Sequence, residues 1–391
     1  MIPFNKPHLT GSEIEYVRQA MESGRLSGNG QFTKRCQAFF EKRYGFRKCL
    51  LTTSCTDALE MAALLTGVGP GDEVIVPSYT FVSTALAFVR TGAKIVFCDS
   101  GADNPNVDPA EVEKLISPRT KVIIPVHYAG VACDMNAIMD IATRHGLLVV
   151  EDAAQAVDSF YKPAPATRDA SGTVKRALGS IGHLGCFSFH ETKNVIAGEG
   201  GMLVINDERF IRRAEILWEK GTNRAEFFRG EVNKYGWVDV GSSFLPSEMV
   251  AAFLWAQLER IDEIQARRRE IWLRYFDGLR DLEDENIVCL PRIPTWATNN
   301  AHMFYLLFDS LKKRSSFIAK MKDVGIQCAF HYLALHSSEF YKLKHDGRTL
   351  PQCDRYADTL VRLPLYYDLT DAEQDVVISR IRETLKEINR T

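Results

Sequence analysis

A disulfide or metal framework is the first thing this chain lacks. Its nine cysteines are scattered, odd in number and never spaced as Cys-x-x-Cys, so neither a disulfide scaffold nor a zinc site is indicated. They read as small core residues of a protein in a reducing cytoplasm. Long apolar runs are missing too, and none approaches the length of a membrane span. The opening Met1-Ile2-Pro3-Phe4-Asn5-Lys6 has no charged-then-apolar pattern of a signal peptide. Charge of one sign is also scarce: 48 basic against 50 acidic side chains leave a net charge of -2, which gives nucleic acid or an anionic membrane nothing to attract. There is no internal repeat and no low-complexity tract. What is present is an ordinary globular composition, 391 residues with 46% hydrophobic and 25% charged, enough for one large and one smaller domain.

From Thr52 to about Asn206, strand-like apolar runs alternate with helical patterns. The runs are Val74 to Val76, Ile95 to Phe97, Val122 to Ile124, Leu147 to Val150, Gly185 to Phe189 and Met202 to Ile205. They are mostly unbroken rather than alternating, as in strands covered by helices on both faces. Amphipathic stretches of helical length, Met135 to His145 among them, lie between. The expectation is an α/β domain with a mainly parallel sheet, spanning residues 1–245. A smaller α+β domain is expected over 246–391. It opens with Ser247 as N-cap of one long helix through Trp255, Leu258, Ile261 and Ile264 toward Leu279. Strand-like Met303 to Phe308, a helix around Phe317 to Val324 and a terminal helix from Asp371 to Ile388 follow. An N-terminal helix from Glu13 to Ser23, with Ser12 as N-cap, is expected to pack on this part. Lys162 to Lys175 reads as an exposed loop insertion.

Chemistry concentrates at the edge of the sheet. Lys193 stands just past the apolar run ending at Phe189 and before Gly198-Glu199-Gly200-Gly201. An amine so placed suits Schiff-base chemistry when its neighbours lower its pKa and exclude water. Ligands of open α/β sheets sit at strand carboxyl ends, where Asp152 follows Leu147 to Val150. It suits a partner for a protonated ring nitrogen, or equally a plain helix cap. Thr52-Thr53-Ser54-Cys55-Thr56-Asp57 enters a helix whose free N–H groups suit a phosphate, or form an ordinary Ser/Thr cap. Tyr79 offers a ring to stack on a flat cofactor, or core packing. Ser188 puts a hydroxyl on an apolar strand, where a cofactor phosphate or a backbone carbonyl would pair with it.

Taken together and in this order, these segments resemble the DegT/DnrJ/EryC1/StrS sugar aminotransferases. The likeness rests on Gly71-Asp72-Glu73-Val74-Ile75, Pro77-Ser78-Tyr79-Thr80-Phe81, Glu151-Asp152-Ala153-Ala154-Gln155, Phe187-Ser188-Phe189 with Lys193, and Gly198-Glu199-Gly200-Gly201. It runs nearly end to end. Val126 to Cys133, Glu219 to Arg224 and Phe227-Phe228-Arg229-Gly230 look most like the dTDP-4-keto-6-deoxy-D-glucose 4-aminotransferases of the enterobacterial common antigen type.

The resemblance implies a fold type I enzyme of the aspartate aminotransferase kind, with a seven-stranded, mainly parallel sheet. It implies pyridoxal 5′-phosphate carried by Lys193, with Asp152 on the ring nitrogen and Gln155 near the phenolic oxygen. Tyr79 would stack on the ring, and the backbone of Cys55 and Thr56 with the Ser188 hydroxyl would hold the phosphate. It implies cytoplasmic homodimers with shared active sites, taking a dTDP-sugar and L-glutamate by a ping-pong exchange. Two departures stand out. Where relatives carry Gly-x-Asn-x-Arg, this chain has Gly241-Ser242-Ser243-Phe244-Leu245, so Ser243 takes the place of the asparagine that reaches the partner's phosphate. The insertion at Lys162 to Lys175 is longer than usual. Arg224 and Arg229 are candidates for the substrate diphosphate, or solvated loop charges. His331, Tyr332 and His336 fall where relatives show an aromatic-Pro-Leu-His pattern, with Ala334 in place of the proline. Other readings are a 3-aminotransferase of the same family, a related sugar dehydratase, in which histidine replaces the lysine retained here, and a non-catalytic cofactor-binding regulator.

Overall fold

The computed structural model describes residues 1–162 and 175–389; the remainder of the stretch read as a loop insertion, 163–174, lies outside the described residues. In chain order the helices are α1 (Glu13–Glu22), α2 (Gln31–Tyr44), α3 (Cys55–Thr66), α4 (Val82–Val89), α5 (Pro109–Lys114), α6 (Met135–His145) and α7 (Ile211–Trp218). After them come α8 (Arg224–Phe228), α9 (Glu248–Glu259), α10 (Ile261–Asp284), α11 (Leu311–Asp323), α12 (Pro351–Thr359) and α13 (Asp371–Ile388). The strands are β1 (Lys48–Thr52), β2 (Glu73–Pro77), β3 (Lys94–Cys98), β4 (Thr120–Ile123), β5 (Leu148–Asp152) and β6 (Phe160–Tyr161). They continue with β7 (Arg176–Ala177), β8 (Leu184–Ser188), β9 (Gly201–Ile205), β10 (Tyr305–Leu307) and β11 (Leu360–Arg362).

Seven strands form one sheet in the order β1-β9-β8-β5-β4-β2-β3. From β3 through β8 all neighbours are parallel, while β9 runs antiparallel to both β8 and β1. This is the mainly parallel sheet of the fold type I transferases. Every residue of β2, β8 and β9 is buried, because helices cover both faces; that is why these strands read as unbroken apolar runs. The edge strand β1 was not among the expected runs. Cys49-Leu50-Leu51 is only three residues of apolar signal, yet it pairs along its whole length with β9.

The long helix expected from Ser247 to Leu279 is two helices. Arg260, at φ −110° and ψ 12°, ends α9 and starts α10, and the hydrophobic period carries on across the break. Ser247 does cap α9, accepting from Val250 N. Ser12 makes no such bond at α1; the Glu13 carboxylate instead accepts from Thr10 N and Gly11 N, at 2.8 and 2.9 Å. Helix α1 lies against α9, whose Ala251, Leu254 and Leu258 belong to the core around the sheet. A second core gathers Trp272, Tyr275 and Leu279 of α10, Phe304, Leu306, Phe317 and Met321, and Val377, Ile381 and Leu385 of α13. Among the described residues no helix is long and apolar enough to cross a membrane.

One buried acid joins these layers. Helix α2 begins after Gly30, which has no side chain to cap it. Glu248, 1% exposed, reaches across from α9 and accepts from Gly30 N, Phe32 N and Thr33 N at 2.8, 2.8 and 3.2 Å. A Cβ on Gly30 would overlap that carboxylate. Glu248→Ala therefore leaves three amide groups without their acceptor, and should lower unfolding free energy by about 2–4 kcal/mol. A urea titration reads this as an earlier midpoint with unchanged slope; an unmoved midpoint would show that α2 needs no such cap.

Candidate active site

A cavity of about 360 Å³ opens at the carboxyl ends of β5 and β8. Asp152 ends β5, is 5% exposed, and lines the cavity. Its carboxylate accepts from Thr84 Oγ1 at 2.7 Å and from Ala154 N at 3.1 Å. Thr84 is in turn bonded to the Thr80 hydroxyl at 2.9 Å. Burial pushes the Asp152 carboxyl up, against the pull of Thr84, Ala154 N, Lys193 and His127. A cationic partner in the cavity would reverse that rise.

Lys193 lies in the turn after β8. Its neighbour Asn194 is 6% exposed and donates to Gln265 Oε1 and Asn300 O, both at 2.8 Å, while its Oδ1 meets His302 Nδ1 at 2.9 Å. Three bonds on one side chain fix the turn, and so fix where Lys193 points. Its own amine has no hydrogen-bond or ion-pair partner among the described residues, and lines the cavity. Burial lowers the Lys193 amine to about 8; Arg362 adds to the fall, and Cys55 and Asp152 oppose it. Burial likewise drives His302 well below its usual value, so its ring is neutral.

The start of α3 closes the opposite end. Ser54 caps the helix by accepting from Asp57 N at 3.1 Å, which leaves the N–H groups of Cys55 and Thr56 directed at the cavity with the dipole behind them. Gly201, the first residue of β9, permits this: a Cβ there would overlap the Ser54 carbonyl and the Cys55 nitrogen. Ser188 Oγ, bonded to His190 N at 3.3 Å, and the Thr56–Ser83 hydroxyl pair at 2.8 Å complete this end. Gln155 accepts from Ala129 N at 2.6 Å and donates to the Tyr332 hydroxyl at 2.8 Å.

The structure thus gathers Cys55, Thr56, Asp152, Gln155, Ser188, Lys193, His331 and Tyr332 around one cavity. Other expected residues stand elsewhere. Tyr79 is 1% exposed, packs among Tyr128, Tyr332 and Tyr356, and donates its hydroxyl to His331 O. It does not line the cavity, whereas Phe81, two residues on and 52% exposed, does, because the chain turns after Pro77 to enter α4. His336 lies outside the cavity too, bonded to Ser78 Oγ at 2.8 Å and facing Asp354 at 3.4 Å. Ser243 and Arg224 share a separate surface groove with Phe228 and Leu245. Arg229 is held on the surface by Glu215 and Glu231, at 2.8 and 2.7 Å. Sequence reasoning missed Phe4, Thr84, His302 and Arg362, which also line the cavity. Only Thr84 carried a local signal, one helical turn beyond Thr80.

An unpartnered amine of lowered pKa, a buried acid pushed up for want of a cation, and a helix start with free N–H groups fit pyridoxal 5′-phosphate. With the seven-stranded sheet, they define a fold type I pyridoxal-phosphate enzyme. The chain belongs to the DegT/DnrJ/EryC1/StrS aminotransferase family, which it matches over residues 7–382. It is 34% identical over 397 residues to the spore coat polysaccharide biosynthesis protein SpsC of Bacillus subtilis, covering 98% of this chain and 97% of SpsC. The aminotransferase TlmJ of Streptoalloteichus hindustanus superposes over 100% of both chains, with TM-score 0.88 and 31% identity. Spr1654 of Streptococcus pneumoniae in its PMP form covers 99% of this chain and 100% of its own, with TM-score 0.89 and 27% identity. The chain is a pyridoxal-phosphate-dependent sugar aminotransferase.

The lowered Lys193 pKa has a direct readout. In cofactor-stripped protein carrying ¹³C-dimethylated lysines, one resonance should titrate near pH 8, below the ordinary lysine value of 10.5, and should vanish in Lys193→Met. Titration of every lysine above pH 10 would contradict this electrostatic picture.

Proposed function

We propose that the enzyme moves the amino group of L-glutamate to C4 of dTDP-4-keto-6-deoxy-D-glucose, giving a dTDP-4-amino-4,6-dideoxyhexose. The observation that carries the reading is the partnerless Lys193 amine, lowered to about 8, sharing a cavity with the buried acid Asp152. The 4-keto sugar nucleotide is supported by the segments at Val126 to Cys133, Glu219 to Arg224 and Phe227 to Gly230. A relative that is a spore coat polysaccharide biosynthesis protein supports a nucleotide sugar more broadly.

When bound, pyridoxal 5′-phosphate supplies the electron sink that spreads the charge left on the donor carbon. The residues of the chain do the rest. Lys193 Nζ would carry the cofactor. Near neutral pH an amine of pKa about 8 exchanges its proton readily, so it could take the proton from the donor's α-carbon as base and deliver it as acid to the carbon on which the amine stays behind. Asp152, oriented by Thr84 and Ala154 N, would hold a proton on the ring nitrogen. The N–H groups of Cys55 and Thr56 with Ser188 would hold the phosphate. Phe81 would take over the ring contact expected of Tyr79, and Gln155 would face the phenolic oxygen. The product leaves as 2-oxoglutarate before the keto sugar enters. We further propose a cytoplasmic homodimer in which Ser243 and Arg224 serve the partner's site from their surface groove.

Lys193→Ala should abolish the visible absorbance of the bound cofactor and cut amino transfer by about 10³-fold or more. Full activity in that variant would sink the assignment. Incubation of the wild-type enzyme with dTDP-4-keto-6-deoxyglucose and glutamate, followed by NMR of the product, should give a 4-amino sugar, with coupling constants assigning gluco or galacto. Amination of a 3-keto isomer alone would replace the 4-keto reading.

A further inference from the structure

His302, 3% exposed, lines the cavity with Lys193, and its tautomer is fixed by groups behind it. Asn194 Nδ2 faces a backbone carbonyl, Asn300 O, and Gln265 Oε1, both at 2.8 Å. Both N–H groups of that amide are therefore spent, and its Oδ1 can only accept. Gln265 is not reversible either, because its own Nε2 donates to Val157 O at 3.3 Å. His302 Nδ1, 2.9 Å from Asn194 Oδ1, thus carries the proton. Burial, with Lys193, Arg362 and Arg268 adding to it, drives the ring well below its usual pKa, so Nε2 keeps a bare lone pair. That nitrogen has no hydrogen-bond partner among the described residues; neither Lys193 nor Arg362, the cationic side chains of the cavity, bonds to it. The backbone of the residue is held as well: His302 N donates to Asn300 Oδ1 at 3.0 Å, and His302 O accepts from Arg268 at 2.8 Å.

A buried acceptor that cannot be protonated calls for a donor from the ligand. Ionised carboxylates and diphosphates bring only lone pairs and are repelled by it. The amino group of the donor is taken up by the cofactor. The hydroxyls of the hexose remain. Lys193 has to reach the carbon that receives the amine, and it lies close enough to act on the His302 ring. The hydroxyl within reach of Nε2 is then the one on the carbon next to the ketone. In a 4-keto-6-deoxyhexose this is the C3 hydroxyl, because C5 carries only the ring oxygen, a hydrogen and the methyl group.

Resting on the keto-sugar reading, we propose that His302 Nε2 accepts a hydrogen bond from the substrate hydroxyl adjacent to the reacting ketone, C3 of the 4-keto sugar. His302 is then a specificity residue for one half of the exchange: it rejects 3-deoxy sugars and does little for the amino-acid donor.

The test compares the holoenzyme on dTDP-4-keto-6-deoxyglucose and on its 3-deoxy analogue, with and without His302→Asn. Asparagine keeps a donor for Asn194 Oδ1 but has no atom to replace Nε2. The wild type should prefer the hydroxylated sugar by about 100-fold in kcat/KM. His302→Asn should lose about 100-fold on that sugar and stay within about threefold of wild type on the analogue. Equal loss on both sugars marks a structural role and overturns the proposal, as does a wild type that does not discriminate. Spectra of the ¹⁵N-histidine-labelled wild-type holoenzyme carry the test if the variant does not fold. One neutral ring protonated on Nδ1 should shift its Nε2 resonance when the hydroxylated sugar is added without glutamate, and not when the analogue is added. Absence of such a ring, or an Nε2 resonance indifferent to the sugar, would contradict the assignment. If neither sugar is aminated and a 3-keto isomer is, the 4-keto reading fails. The same comparison, run on that ketone with and without its neighbouring hydroxyls, then decides the role of His302.

Discussion

The site depends on one buried carboxylate that touches no ligand. Glu151, wholly buried beside Asp152, accepts from Gly179 N, Ile181 N and Gly182 N at 2.8, 2.6 and 2.6 Å, and from His127 Nε2 at 2.9 Å. His127 Nδ1 accepts from Cys133 N at 3.2 Å, so Nε2 carries the proton that points at Glu151. Burial alone would raise the Glu151 pKa, but His127 and the N–H groups of Gly182 and Gly179 outweigh it and hold the carboxyl below its usual value. This anion ties the end of β5 to the turn that enters β8. The two strands that deliver Asp152 and Ser188 are thereby held at one height, and Lys193 follows in the next turn.

Above that anchor the cavity is electrically unfinished. Asp152 is pushed toward its protonated form, and Lys193 toward its neutral one, by the same exclusion of water. Each shift runs toward neutrality because neither group has a full counter-charge among the described residues. A cationic ring nitrogen beside Asp152 and an anionic phosphate at the start of α3 would complete the arrangement. The protein therefore spends stability on holding these groups ready, and folds around contacts such as Glu151 and Glu248 that are saturated with donors.

Much of this was legible before any coordinates. Strands β2 to β5, β8 and β9 announce themselves because burial on both faces leaves no polar alternation. Asp152, Ser188 and Lys193 sit at or just past strand ends, where position along the chain maps directly onto position at the sheet edge. The break at Arg260 was hidden because Leu258, Ile261 and Ile264 keep the helical period on either side of it. Tyr79 and Phe81 could not be told apart by sequence: both follow Pro77, and the turn into α4 decides which ring faces the cavity. His336 was expected at the substrate and Arg362 was missed for a different reason. Their surroundings are set by contacts distant in the chain, Ser78 and Asp354 for His336 and Phe4 for Arg362, which no local pattern records.

That difference divides the cavity into two kinds of wall. Asp152, Ser188, Cys55 and Thr56 are held by the hydrogen-bonded frame of one sheet and the helix entering it. A shift in any of them would break ladder bonds or the close approach at Gly201. Phe4, His302 and His331 come from the N-terminal arm and from loops bordering the second core, while Arg362 is held in β11 by its pairing with β10 and Ala329. Holding the cofactor's ring nitrogen and phosphate thus falls to the wall built on the sheet edge, while Lys193 stands between the two, in a turn that Asn194 bonds to Gln265, Asn300 and His302.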